Sequence, residues 1–150
     1  MGNKASVLVC VTGQRDCDRL IKEGKRLAQE RSLMLHVLCV QPSSAGYDTD
    51  GEELEYLRQT ARDASAEMTV YFNDEAAIIA AGFSKRISAK HIVTGMAGDS
   101  NAGIPSNRFI EMIHSLVPHV PISMVAKDGK VYHICPTTTQ AASAEMAITV

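Results

Sequence analysis

One hundred and fifty residues make one ordinary domain, long enough to bury about two-thirds of the surface its unfolded chain exposes. A formal charge of −2, with no lysine or arginine run longer than two residues, lacks the basic footprint of a nucleic-acid or anionic-membrane binder. The apolar runs fall far short of the roughly 20 residues that span a bilayer, and no charged-then-apolar leader opens the chain, so a cytoplasmic protein without membrane insertion is expected.

The first run, "ASVLVCV" (Ala5 to Val11), is apolar and β-branched throughout, which suits a strand covered on both faces. In "CDRLIKEGKRLAQERS", Leu20, Ile21, Gly24, Leu27 and Ala28 recur at helical spacing with charges on the other side. "LMLHVLCV" (Leu33 to Val40) predicts a second buried strand, and Pro42 to Asp50 a loop. "EELEYLRQTARDASA" predicts a helix with Leu54, Leu57, Ala61 and Ala64 inward; "EMTVYF" predicts a strand. "DEAAIIAAGFSKRIS" predicts a helix with Asn73 as its N-cap and acids in its first turn. "KHIVTG", a glycine-bearing loop, "NRFIEMIHSLV" and "ISMVAK" follow as strand, loop, helix and strand.

Five strands alternating with four helices imply right-handed crossovers and an α/β fold: a mostly parallel sheet with helices on both faces, in three layers. Asp128-Gly129 before "KVYHI" predicts a tight hairpin and an extra antiparallel edge strand. The expected division is one domain over residues 1–135 and a small, polar, mobile tail over 136–150. The four cysteines show neither C-x-x-C nor a ligand cluster, so they are expected as buried free thiols.

Ligands of such sheets lie at the carboxyl ends of the strands, where the strand order reverses. After the first strand, Thr12 offers a hydroxyl, Gly13 permits close backbone approach, and Asp16 and Asp18 mark a helix start. After the fourth, "HIVTGMAGDSNAGIPSNRF" places Gly95 and Gly98 where a phosphate or ribose could lie against backbone, and Ser106 or Asn107 at a helix start that attracts anions. The same residues also suit a plain turn and cap. No P-loop lysine follows and no G-x-G-x-x-G opens the first helix, which argues against a P-loop NTPase and a classical dinucleotide fold. The five histidines (His36, His91, His114, His119, His133) lack metal-ligand spacing, so no metal and no catalytic residue is assigned.

The succession "VLVCVTG...DRLIKEGKRLA", "LHVLCVQP", "TVYFNDEAAIIAAGFSKRISAKHIVTGMAG" and "RFIEMIHSLVPHVPISMV" resembles the universal stress protein family over roughly residues 5 to 126. Its first stretch is also similar to the stress-protein-like domain of bacterial potassium-sensing histidine kinases. The resemblance implies a five-stranded sheet ordered 3-2-1-4-5, a homodimer through the fifth strand, and ATP binding in a subset of members. In those members a strand-one aspartate, the end of strand two and a G-x-x-G, spacer of nine, G-[ST] signature hold the nucleotide. Here Thr12 stands at the aspartate, Val40 matches the end of strand two, and Gly95 and Gly98 match G-x-x-G. Seven residues separate Gly98 from Ser106-Asn107, which take the place of G-[ST].

The implied function is a small regulatory, stress-response protein that binds a nucleotide-like ligand weakly or conditionally. That ligand is ATP or another adenine nucleotide, a cyclic dinucleotide being left open by analogy. Signalling then runs through the dimer or a protein partner. An alternative is a hydrolase or transferase cleaving an α–β phosphate bond, with Asp16, Asp18 and Asp99 as its only candidate carboxylates. A flavodoxin-like flavin binder is the remaining reading, with Thr12-Gly13 opening a phosphate loop and Tyr47 the one aromatic in a candidate ligand-facing loop.

Overall fold

The computed structural model describes residues 5–43, 51–95 and 104–136. Strands β1 (Ser6–Val11), β2 (Met34–Gln41), β3 (Glu67–Phe72), β4 (Ala89–Gly95), β5 (Ile122–Val125) and β6 (Val131–Ile134) alternate with α1 (Asp18–Arg31), α2 (Gly51–Asp63), α3 (Ala76–Arg86) and α4 (Ile104–Leu116) up to β5. They form one sheet ordered β3-β2-β1-β4-β5-β6. All pairings are parallel except β5 with β6, because a short turn can only return the chain antiparallel.

Side-chain alternation divides the core into two layers. From β1, Val7, Val9 and Val11 pack with Leu20, Ile21, Leu27 and Ala28 of α1 and Leu57 and Ala61 of α2. Leu8 and Cys10 point the other way, to Ala77, Ala80, Ala81 and Phe83 of α3 and Ile113 of α4. Every residue of β1 is buried, which is why its sequence is a continuous apolar run without alternation. Only Ser6 is polar there, and its hydroxyl donates to Ile87 O at 2.7 Å.

Three αβ turns place a serine in the left-handed region: Ser32 (φ 55°), Ser65 (φ 61°) and Ser88 (φ 53°). Glycine or asparagine is the usual choice at such a helix end, so these turns carry no sequence signal for the bend they make.

Several expectations are corrected in detail. Asn73 is not the N-cap of α3: its Oδ1 accepts the Glu75 N–H at 2.7 Å, Glu75 is the N-cap, and no acid lies in the first turn. The asparagine satisfies the backbone two residues on, an Asx turn that competes with capping. Helix α4 begins at Ile104, ahead of Ser106 and Asn107, which therefore lie within its first turn and not at a cap. Cys10, Cys17 and Cys39 are buried free thiols, but Cys135 is exposed because it follows the edge strand.

The predicted hairpin is present. Gly129 has φ +94°, Asp128 Oδ1 accepts the Lys130 N–H at 2.9 Å, and β6 closes the edge that β5 would otherwise expose. No described helix is long and apolar enough to cross a membrane. The tail from 137 onward lies outside the described residues.

Candidate functional site

Strands β1 and β4 are neighbours. Helix α1, which follows β1, packs on one face and α4, which follows β4, on the other, so the strand order reverses between β1 and β4, the place where ligands of such sheets bind. Of the residues expected there, Thr12, Gly13, Val40 and Gly95 lie at three of these strand ends. Gly98 lies outside the described residues, as do Asp99, Tyr47 and the side chains of Ser106 and Asn107.

Gly13 has φ +94°, a conformation that side chains rarely adopt. Its empty Cβ position is also occupied, since a Cβ there would overlap Gln41 Nε2 and stand 3.6 Å from Leu54 Cδ2. Gln41 is the residue that the sequence did not reveal. Its buried side-chain amide donates to Thr12 O at 2.8 Å and lies 3.1 Å from Cys39 Sγ, while its backbone carbonyl accepts the Asn73 N–H at 2.8 Å. The side chain thus ties the end of β1 to that of β2 and packs under the Thr12-Gly13 turn, and the backbone of the same residue carries the link on to the end of β3. Thr12 itself is exposed, with Oγ1 3.5 Å from Cys17 Sγ. Val40 sends its side chain into the α3/α4 core, leaving backbone as what it can offer a ligand.

Gly13→Val is therefore expected to cost about 2 kcal/mol of stability from the left-handed backbone alone. It should also displace the Gln41 amide from Thr12 O. Chemical denaturation compared with Gly51→Val, where a Cβ meets nothing within 4 Å, checks this: equal midpoints would show that the turn is not constrained.

A second residue without a sequence signal is Arg19, in the first turn of α1. Its guanidinium reaches across the sheet end and donates from Nη1 to Asp16 O at 2.7 Å, from Nε to Ala126 O at 3.2 Å and from Nη2 to Val125 O at 3.3 Å. A Cβ on Gly95 would lie 3.5 Å from Nη2. Arginine on a charged helix face normally reads as solvated surface, and only the packing of α1 against β4 and β5 brings it to this position.

The carboxylates have other engagements. Asp18 Oδ2 accepts the Tyr56 hydroxyl at 2.7 Å, a bond that raises the Tyr56 pKa. Arg15 lies 4.4 Å over the same ring and 3.4 Å from Glu53 Oε1. Asp16 Oδ2 stands 3.6 Å from Arg19 Nη1. Among the described residues no three histidine, cysteine, aspartate or glutamate side chains gather as metal ligands. A groove of about 340 Å³, lined in part by Lys22, Lys25, Tyr56 and Asp63, lies between α1 and α2, not at the strand ends.

No protein-family model and no curated protein sequence matches the chain. Solved structures do. The chain is similar to a universal stress protein in complex with cAMP, with 14% identity and a TM-score of 0.62 over 83% of this chain and 98% of that one. It is also similar to the universal stress protein from Archaeoglobus fulgidus in complex with dAMP, with 17% identity and a TM-score of 0.53 over 80% of this chain and 96% of that one. GalB, the 4-carboxy-2-hydroxymuconate hydratase from Pseudomonas putida KT2440, matches at 10% identity and a TM-score of 0.59 over 81% of this chain, which spans 65% of that enzyme. The chain thus has the universal stress protein fold, with β6 added to the 3-2-1-4-5 order.

Proposed function

We propose that this chain is a small regulatory protein that binds an adenine nucleotide, weakly or conditionally, at the carboxyl ends of β1, β2 and β4, and passes its occupancy on through a homodimer or a protein partner. The observation that carries the reading is the Thr12-Gly13 turn at the β1/β4 switch point, whose left-handed glycine is fixed in place by the Gln41 amide packed beneath it. Two proteins of similar fold are in complex with cAMP and dAMP, which supports an adenine nucleotide as the ligand here. Binding is expected to be weak because Thr12 presents a neutral hydroxyl, and one such hydrogen bond contributes only about 0.5–1.5 kcal/mol net. A regulatory role is favoured over hydrolysis because Asp18, a candidate carboxylate, is engaged by the Tyr56 hydroxyl. Since β6 covers β5 within the chain, a dimer formed through the sheet would join at β6 or exchange it between copies.

Native mass spectrometry of freshly purified protein reports bound nucleotide and oligomeric state together. Calorimetric titration with AMP, cAMP and ATP then ranks the ligands. Measurable binding of at least one is expected, with at least a roughly tenfold loss in Gly13→Val. No heat with any of the three, and no nucleotide carried through purification, would refute the reading.

A further inference from the structure

Arg19 is fixed in a way that invites a function. Three of its five N–H groups are given to backbone carbonyls, those of Asp16, Val125 and Ala126. Carbonyls are neutral, so the guanidinium is held in place without its charge being cancelled. Among the described residues only Asp16 Oδ2, at 3.6 Å, offsets that charge. This is longer than a hydrogen bond, and the aspartate side chain is half exposed, where an ion pair is weak and easily exchanged. One N–H on each terminal nitrogen is left over. The Arg19 side chain is 22% exposed, and its Nη1 bond lies at the exposed end while those of Nη2 and Nε are half-buried. Nη2 is the nitrogen that faces the missing Cβ of Gly95, at the end of β4 where the candidate site opens. A planar cation with one free N–H on each of two nitrogens is matched to a phosphate or carboxylate oxygen pair.

We propose that Arg19 is the anion-contacting side chain of the strand-end site, so that this site selects nucleotides over nucleosides by binding a phosphate group on the remaining N–H groups of Arg19 beside the end of β4. The proposal rests on the nucleotide reading above and adds the part of the ligand that is recognised. It also explains how a phosphate could be held without the lysine of a P-loop: the charge comes from the first turn of α1, on the opposite side of the sheet from α4. On binding, the phosphate displaces the Asp16 carboxylate, whose exposed side chain can turn to solvent.

Arg19 also bolts α1 to the end of β5, so the test must separate a bolt from a ligand contact. The affinities of AMP and of adenosine are measured by calorimetry for the wild type, Arg19→Gln and Arg19→Lys, with thermal melts of all three. The wild type is expected to prefer AMP by roughly 10- to 100-fold, the range of a charge-assisted hydrogen-bond pair. Arg19→Gln should bring the ratio near unity while leaving adenosine affinity within about twofold, and Arg19→Lys should keep part of the preference because the charge survives. Equal losses for AMP and adenosine in Arg19→Gln, tracking a lowered melting temperature, would reduce Arg19 to a bolt and overturn the proposal. An AMP preference that is unchanged in Arg19→Gln would overturn it while leaving nucleotide binding intact. A wild type that binds neither compound would overturn both.

Discussion

Replacing Gly24 with alanine is expected to lower the unfolding free energy by about 2 kcal/mol, whereas the same replacement at Gly82 is expected to raise it by up to about 1 kcal/mol. Both glycines lie inside helices, α1 and α3, and at both alanine gains helix propensity. The surroundings decide the sign. A Cβ on Gly24 would overlap Val9 Cγ2 and lie 3.1 Å from Leu35 Cδ1, while one on Gly82 meets nothing within 4 Å. Val9 is fully buried on β1, and a β-branched side chain in a packed strand has few rotamers to retreat into. Helix α1 therefore rides against the sheet at van der Waals distance through a residue with no side chain, and alanine must push it outward. For a chain of this size the loss corresponds to a melting temperature lower by roughly 4–8 °C. The double variant Gly24→Ala/Val9→Ala removes the overlap, so it should show a coupling energy above about 1 kcal/mol in a double-mutant cycle. A Gly24→Ala protein that melts with or above the wild type would show that the contact has slack.

Acidification is the second large effect. His91 on β4 is buried, with Arg31 Nη1 3.2 Å from its Nδ1 and Ser123 Oγ 2.7 Å from its Nε2. Arginine can only donate, so Nδ1 is the acceptor and the imidazole is neutral with its proton on Nε2. That proton is donated to Ser123 Oγ, whose own proton is then left for His133 Nδ1 on β6, at 3.0 Å. The line from α1 to the edge strand has one direction, and His91 within it has no place for a further proton. Burial first, then the Arg31 guanidinium, hold the His91 pKa down to about 4, with His133 and Arg26 adding to the effect and Glu23 opposing it. The unfolded value is near 6.5, so the folded state binds fewer protons than the unfolded one. The contribution is complete above about pH 6.5 and is lost as pH falls toward about 4, to a total of about 3 kcal/mol. His91→Gln, which keeps a hydrogen-bonding side chain but cannot titrate, should flatten that part of the profile. Urea midpoints of wild type and variant between pH 7.5 and pH 4 make the comparison, and parallel profiles would exclude His91 as the source.

Much of the fold could be read along the chain, because burial on both faces writes itself as uninterrupted apolar runs and a helix against a sheet writes itself as a stripe. The five inward positions of α1 read from spacing, Leu20, Ile21, Gly24, Leu27 and Ala28, are its buried residues, and the Asp128-Gly129 hairpin needed only its turn chemistry. Strand boundaries and caps were less legible. Asn73, Glu75 and the start of α4 show that a capping residue type marks the neighbourhood of a helix end and not its first residue, since side chain and backbone can satisfy each other in more than one register.

What the sequence by itself determined is therefore everything that depends on neighbours along one strand or helix: the alternation of elements, the layers and the inward faces. Contacts between elements distant in sequence were decided by the tertiary structure alone. Gln41 under the Thr12-Gly13 turn spans 29 positions, Arg19 to β5 spans 106, and His91 to Ser123 spans 32. Scattered histidines with no motif became a directed hydrogen-bond line, and two helical glycines of the same type acquired opposite roles. The physical reason is that periodicity encodes which face of an element turns inward, while the partner met there depends on strand order and crossing distance, which no local pattern carries.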